Sequence, residues 1–536
     1  MTKLVHCSVR YRLQGERKTA LHIANLKFDG AGEMRNNDIA ITVEQRENCL
    51  VALLSAQRTI TLEAVRFEFD HSFSNTQRVL FNGYQSWTDT SELQPRATMR
   101  GLEGTPNVAV EHFALYGGGD YTFVDYENRP GFLHGWTYCY FSEQDRYELI
   151  GSLDETAGFT LLGMNERENM VYACPEVPLE ELEAGATCTL MRLGFYCAAN
   201  LDDAFDAWFA DQGVYALPAP RLSGYSSWYR HYDAIDEGKL LRDLYGMGRA
   251  YEQLEAAGTE PVFQIDDGFA KVGDWLAYDE KKFPSGMDTL VRAISSAGYV
   301  PGLWLAPFVC ELKSDLFSYC PDWLLTDDDG GLVATGSHWS GGYALDTLNP
   351  DVRDYVREVI QTVTQQWGFK LLKLDFLYAA CMVPHGGMNR GQLMADAIDL
   401  LREAAGPDVL LLGCGVPLAS VFGKFEYCRI GCDVGLDWND MPHRRLLHRE
   451  RVSTCRSLFN TVYRAPLNGR AFACDPDVLL LRDDVKLSAE QRQLLIEADG
   501  CFGGMVLTSD DMGSWTPEQI AQYQQALDLL QAARHS

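Results

Sequence analysis

The sequence predicts a multidomain protein in which an N-terminal antiparallel β-sandwich precedes a (β/α)8 barrel. Three observations carry this prediction. Residues 1–200 hold many short runs of alternating polarity and no helical period. After Ser223 the pattern changes, and apolar runs alternate with helical stripes. Eight such runs occupy residues 223–536, the number that closes a parallel barrel.

In the first region Val65, Phe67 and Phe69 alternate with Arg66, Glu68 and Asp70, which marks a half-buried strand. Ile60 and Leu62 alternate in the opposite parity, so the spacing predicts a bulge near Glu63–Ala64. Further strands are expected at Tyr121–Tyr126, Trp136–Phe141, Phe159–Leu162 and Thr189–Tyr196. Phe81–Trp87 (FNGYQSW) places a Trp beside Gly and Asn in a loop, more often a core plug than a ligand contact, and the residues alone leave both readings open. Residues 201–222 form a linking helix and a proline-containing connector.

The barrel strands are read at Ser223–Tyr229, Pro261–Asp267, Pro301–Phe308, Lys370–Phe376, Val409–Gly415, Cys428–Asp433, Ala471–Asp477 and Gly503–Asp510. Between the third and fourth runs, Asn349 caps a helix, Pro350 fits its first turn, and Val352, Val356, Val359, Val363 and Trp367 form its stripe. Gly368 ends it. A second helix starts near Met388, and a last one runs from Pro517 to Ala533.

Composition narrows the function. A net charge of −29 and no basic run argue against a nucleic-acid partner. No stretch has the length of a membrane span, and the first residues lack the apolar core of a signal peptide. Fifteen cysteines without metal-type spacing suit free thiols in a reducing cytoplasm. A cytoplasmic protein is expected.

Active sites of such barrels sit at the C-terminal ends of the strands. Here those ends carry Trp228 and Tyr229, Asp266 and Asp267, Trp304, Lys373 and Asp375, Cys414, Arg429 and Asp433, and Asp475. Lys373 and Asp375 are two apart and point the same way along a strand. They read either as a structural ion pair or as a carboxylate kept ionised by an ammonium. Carboxylates and a lysine bind sugar hydroxyls, tryptophan faces cover a pyranose ring, and two carboxylates can flank a glycosidic bond. Arg429 and Asp433, four apart, are expected to share a face, and glycine and apolar neighbours suggest a raised pKa for Asp433. A magnesium site is the competing chemistry, disfavoured by the lysine inside the cluster and the lack of a strand-end histidine.

With these residues in hand the chain resembles the α-galactosidases of glycoside hydrolase family 36. The matching segments include Asn82–Trp87, Gly224–Tyr229, Phe263–Phe269, Tyr343–Asp346, Leu372–Ala379, Leu412–Leu418, Arg429–Asp433 and Asp475–Asp477. The resemblance implies a retaining exo-glycosidase for terminal α-galactosides, with Asp375 as nucleophile and Asp433 as general acid/base, their carboxyls about 5–5.5 Å apart. It implies that Asp266, Asp267 and Lys373 bind galactose hydroxyls and that Arg429 lies near O2. Trp304 and Trp228 would form walls, Tyr229 and Cys414 would line the pocket, and Trp87 would reach over its mouth. No cofactor and no metal is implied; the partner is a small carbohydrate, with a homo-oligomer left open.

Two departures stand out. Cys474 replaces a usual asparagine, which questions a pocket wall near the sugar's 2-position. The chain stops soon after its last helix, so the family's C-terminal β-domain is expected to be absent. The runner-up function is an α-N-acetylgalactosaminidase, followed by an α-galactosyl transglycosylase. A non-catalytic sugar-binding protein is argued against by retention of both carboxylates.

Overall fold

The computed structural model describes residues 3–15, 20–28, 30, 32–102, 118–438 and 449–533. Two antiparallel sheets, of six and seven strands, pack face to face from Lys3 to Ala198. Val65, Phe67 and Phe69 point into the core between them. The expected bulge is present: Arg10 pairs with Ala64 and Tyr11 with Leu62, leaving Glu63 as the extra residue. Both halves of the strand thereby keep their apolar side inward.

Two expectations in this region need correction. Tyr121–Tyr126 is a turn, in which the Asp120 carbonyl accepts the N–H groups of Phe123 and Val124 at 2.9 and 3.0 Å. The Asp120 carboxylate is itself held by Trp136 Nε1 at 2.8 Å and Tyr126 Oη at 2.6 Å, so side-chain bonds override the aromatic strand propensity. The run Trp136–Phe141 is not one strand. Thr137 takes φ +70° and passes the chain from one sheet to the other, between Phe132–Trp136 and Tyr138–Glu143.

A helix at Leu201–Gln212, capped by Asn200 and ended by Gly213, packs Phe205, Trp208 and Phe209 against the sandwich and leads to the barrel. Its parallel strands are β1 Leu222–Ser226, β2 Glu260–Ile265, β3 Val300–Leu305, β4 Leu371–Leu374, β5 Leu410–Gly413, β6 Tyr427–Arg429, β7 Ala473–Asp475 and β8 Met505–Thr508. The β7–β8 seam is joined by Gly504 N–H donating to the Cys474 carbonyl at 2.7 Å. Each strand lies inside a run expected from the sequence or within one residue of it. All eight strands end two to four residues before the expected runs do. Trp228 and Tyr229 belong to a one-turn helix after β1, and Asp433 lies in coil four residues beyond β6.

The Asn349-capped helix spans Pro350–Gln361 and widens to a π-helix over Thr362–Trp367 before Gly368 turns left-handed at φ +94°. Cys474 is fully buried in the barrel wall, in register with Cys428, and does not face the cavity described below. The expected change to a pocket wall is therefore a change inside the barrel core. None of the fifteen cysteines forms a disulfide. Among the described residues no helix is long and apolar enough to cross a membrane.

Candidate active site

A cavity of about 560 Å³ opens at the C-terminal ends of the barrel strands. Trp228, Asp266, Asp267, Trp304, Lys373, Asp375, Asp433 and, from the sandwich, Trp87 all line it. Trp304 and Lys373 are register partners on β3 and β4, which places the aromatic wall beside the ammonium.

Lys373 Nζ lies 2.9 Å from Asp266 Oδ2, so its nearest carboxylate is on β2's extension and not the neighbouring Asp375. Both groups are buried, and burial, the largest single influence, would lower the lysine's pKa; the charge of Asp266 together with its other anionic neighbours, Asp375 among them, raises the value on balance. Asp266 is further fixed by Gln264 Nε2 at 2.9 Å and by its own N–H donating to Ser227 Oγ. Asp267 is bonded across the cavity. Its Oδ2 accepts Trp339 Nε1 at 2.7 Å, and burial pushes its carboxyl up to about 7, helped by the adjacent Asp266 charge and opposed by the indole bond.

Asp375 is held by neutral donors. Trp304 Nε1 donates to Oδ2 and the Phe376 N–H to Oδ1, each at 2.9 Å. Phe376 itself is left-handed at φ +54°, which turns the chain sharply off β4. Asp433 differs: its Oδ1 lies 3.1 Å from Arg429 Nη1, and its side chain is 40% exposed toward the cavity. The apolar surroundings expected for Asp433 are thus replaced by an ion pair, made across a loop and not along a strand face.

Three residues stand behind the cavity wall instead of on it. Arg429 is buried among Asp433, Asp475 and Asp477. Tyr229 donates its hydroxyl to Asp477 Oδ2 at 2.5 Å. Cys414 accepts Trp87 Nε1 at 3.3 Å, and burial raises its thiol pKa. Trp87 lines the cavity and packs edge-on against Phe376 and Tyr378. A Cβ on Gly415, at φ +54°, would stand 3.0 Å from Trp87 Cζ2, so this close approach needs glycine.

The loop bearing Trp87 is clamped to the barrel by Arg464. Its guanidinium is fully buried and donates to the carbonyls of Ser86 and Ile430 at 2.6 and 2.9 Å and to Asn82 Oδ1 at 3.0 Å. Burial lowers its pKa to about 10. Sequence reasoning missed Arg464, and it also missed His338 and Trp339, which line the cavity. They sit between the short strands Ala334–Gly336 and Gly342–Ala344, in a small sheet inserted between β3 and β4. The usable signal was a Trp and a His among glycines in a connection too long for one crossover helix. Burial lowers the His338 pKa, with Asp433 and Asp375 acting in opposition.

Residues 262–392 match the melibiase family. An α-galactosidase of Escherichia coli is 30% identical over 168 residues, covering 28% of this chain and 22% of that enzyme. The match to such curated relatives thus spans about a fifth of their length. An α-galactosidase of Thermus thermophilus, solved with p-nitrophenyl α-D-galactopyranoside, superposes with a TM-score of 0.72 at 26% identity, covering 92% of this chain and 94% of that one. A family 36 α-galactosidase of Geobacillus stearothermophilus shares the fold at 13% identity and a TM-score of 0.59, over 99% of this chain and 74% of that one. Residues 262–392 thus match the melibiase family, and the chain as a whole has the fold of the α-galactosidase of Thermus thermophilus.

Proposed function

We propose that the chain is a retaining exo-α-galactosidase. The observation that carries this reading is the pair Asp375 and Asp433 on one cavity, the first held by neutral donors and the second beside a guanidinium. Asp375 attacks the anomeric carbon as Asp433 gives its proton to the leaving oxygen; the glycosidic C–O bond breaks and a β-galactosyl ester forms. Water then attacks that ester, gives its proton to Asp433 and releases Asp375, which restores the α configuration.

The remaining groups divide by position. Asp266, Asp267 and Lys373 supply a buried, directional set of donors and acceptors for galactose hydroxyls. Trp304 and Trp228 cover the apolar ring face, and Trp87 with Trp339 narrows the mouth. Arg429, off the wall, acts through Asp433. Small α-galactosides fit this chemistry, the aryl galactoside held by the Thermus thermophilus enzyme among them.

The test is hydrolysis of p-nitrophenyl α-galactoside beside its 2-acetamido analogue, with the first-formed sugar anomer read by proton NMR. Cleavage of the plain galactoside with α-galactose appearing first is expected. The β anomer appearing first would overturn retention. Preference for the acetamido sugar would reassign the substrate, and cleavage of neither would overturn the activity.

A further inference from the structure

A general acid must carry its proton at working pH, whereas a neighbouring guanidinium favours the anion. Taken alone, the Arg429–Asp433 contact at 3.1 Å opposes the role proposed for Asp433. Arg429 does not serve Asp433 alone, however. Its Nε donates to Asp475 Oδ2 at 3.1 Å, and its Nη2 lies 2.8 Å from Asp477 Oδ1. The side chains of Asp475 and Asp477 are only 4% and 1% exposed, against 40% for Asp433. The guanidinium thus lies deepest among the two carboxylates that solvent screens least.

Asp477 also reaches the backbone that carries Asp433. Its Oδ2 accepts the N–H of Val434 at 2.9 Å together with the Tyr229 hydroxyl. Asp475 Oδ1 accepts the Asp477 N–H at 2.9 Å, which joins the two acids into one unit. Asp477 holds φ +83°, a conformation that a non-glycine residue keeps only where its surroundings impose it.

We propose that Asp475 and Asp477 are positioning residues that share Arg429 with Asp433, so that the guanidinium fixes the place of Asp433 without committing it to the anion. The proposal rests on Asp433 being the general acid. The other titratable groups around it are Tyr229, the Cys432 thiol and, across the cavity, His338, whose pKa burial lowers. Arg451 and Glu450 line the same cavity, and burial pushes Glu450 up to about 7. Asp499, behind Asp475 and Asp477, is raised by burial and by their charges. Burial likewise raises Asp477 against the pull of Arg429, with Asp433 and Asp475 adding to the rise.

The experiment is a carbon-13 carboxyl NMR titration of Asp433 in the full chain, its resonance assigned by its loss in Asp433→Asn. Wild type is compared with Asp475→Asn and Asp477→Asn, which are near-isosteric and remove one competing charge each. In either variant the Asp433 midpoint should fall by about one pH unit, about tenfold in its proton affinity. The alkaline limb of kcat/KM on an α-linked oligosaccharide should move the same way, a response that a purely structural role would not give. An unmoved or raised midpoint in the variants whose melting matches wild type would overturn the proposal. The titration needs no substrate, so the two readings fail separately. A shifted midpoint in a protein that cleaves no galactoside would remove the activity and leave the charge sharing. Cleavage with an unmoved midpoint would do the reverse.

Discussion

Lys373 and Asp266 meet at 2.9 Å with side-chain exposures of 9% and 3%, whereas Arg429 and Asp433 meet at 3.1 Å with exposures of 4% and 40%. In the first pair both charges are sealed and each is the other's main partner. In the second only the cation is sealed, and it is divided among three carboxylates. A sealed pair is fixed in protonation and geometry, which suits recognition of a hydroxyl pattern. A pair with one open, shared member keeps a proton exchangeable, which suits acid–base work. Asp375, whose hydrogen bonds come from two neutral donors, fits neither pattern, which suits the nucleophile role proposed for it.

The largest effect is expected at Asp375. Asp375→Gly should lower turnover of an aryl α-galactoside by a factor on the order of 10⁴ or more. Thermal melting should change little, because the variant loses two neutral hydrogen bonds and no ion pair. Azide should restore part of the rate by entering the vacated space. Initial rates near wild type would remove the nucleophile assignment.

Breaking the sealed pair should show as stability first. Lys373→Met leaves Asp266 buried and unpaired, at a cost of about 3–5 kcal/mol. Asp433→Ala, at the open pair, leaves Arg429 with two carboxylates and should cost far less. Urea midpoints of the two variants test the comparison directly, and equal losses would mean that the two pairs do not differ as their burial indicates.

Much of this arrangement was legible in the sequence, for a physical reason. Buried parallel strands read as apolar runs, so all eight barrel strands could be placed, and Asp266, Asp267, Trp304, Lys373 and Asp375 follow from their strand ends. The Glu63 bulge was legible because a one-residue insertion reverses the parity of every later side chain. What could not be read are contacts between distant segments. Lys373 has Asp375 two residues away, yet it turns to Asp266, 107 residues earlier. Arg464 reaches Asn82 across 382 residues, and nothing near Arg464 in the chain announces that clamp. His338 and Trp339 enter the cavity from an inserted sheet and not from a strand end. Arg429, Tyr229 and Cys414 were placed on the wall because strand ends face it, but their side chains turn to partners behind it.

Asp267 sharpens the comparison because it is buried like Asp266 yet its main neighbours are an indole donor and the like charges of Asp266 and Asp233. Its carboxyl is pushed up to about 7 from an ordinary value of 3.8, chiefly by burial. The folded chain therefore holds this proton more tightly than the unfolded chain does. The resulting stabilisation is fully present below the ordinary value and is lost as pH rises through about 7. Asp267→Asn keeps an acceptor for Trp339 Nε1 and removes the titration. Its stability relative to wild type should rise between pH 5 and pH 8 by an amount on the order of 2 kcal/mol. Denaturant unfolding at the two pH values measures it, and parallel curves for the two proteins would show that the carboxyl is ionised throughout. Galactose extends the test: if its hydroxyls donate to Asp267, they stabilise the anion, and the pH-dependent part of the difference should shrink when the sugar is added.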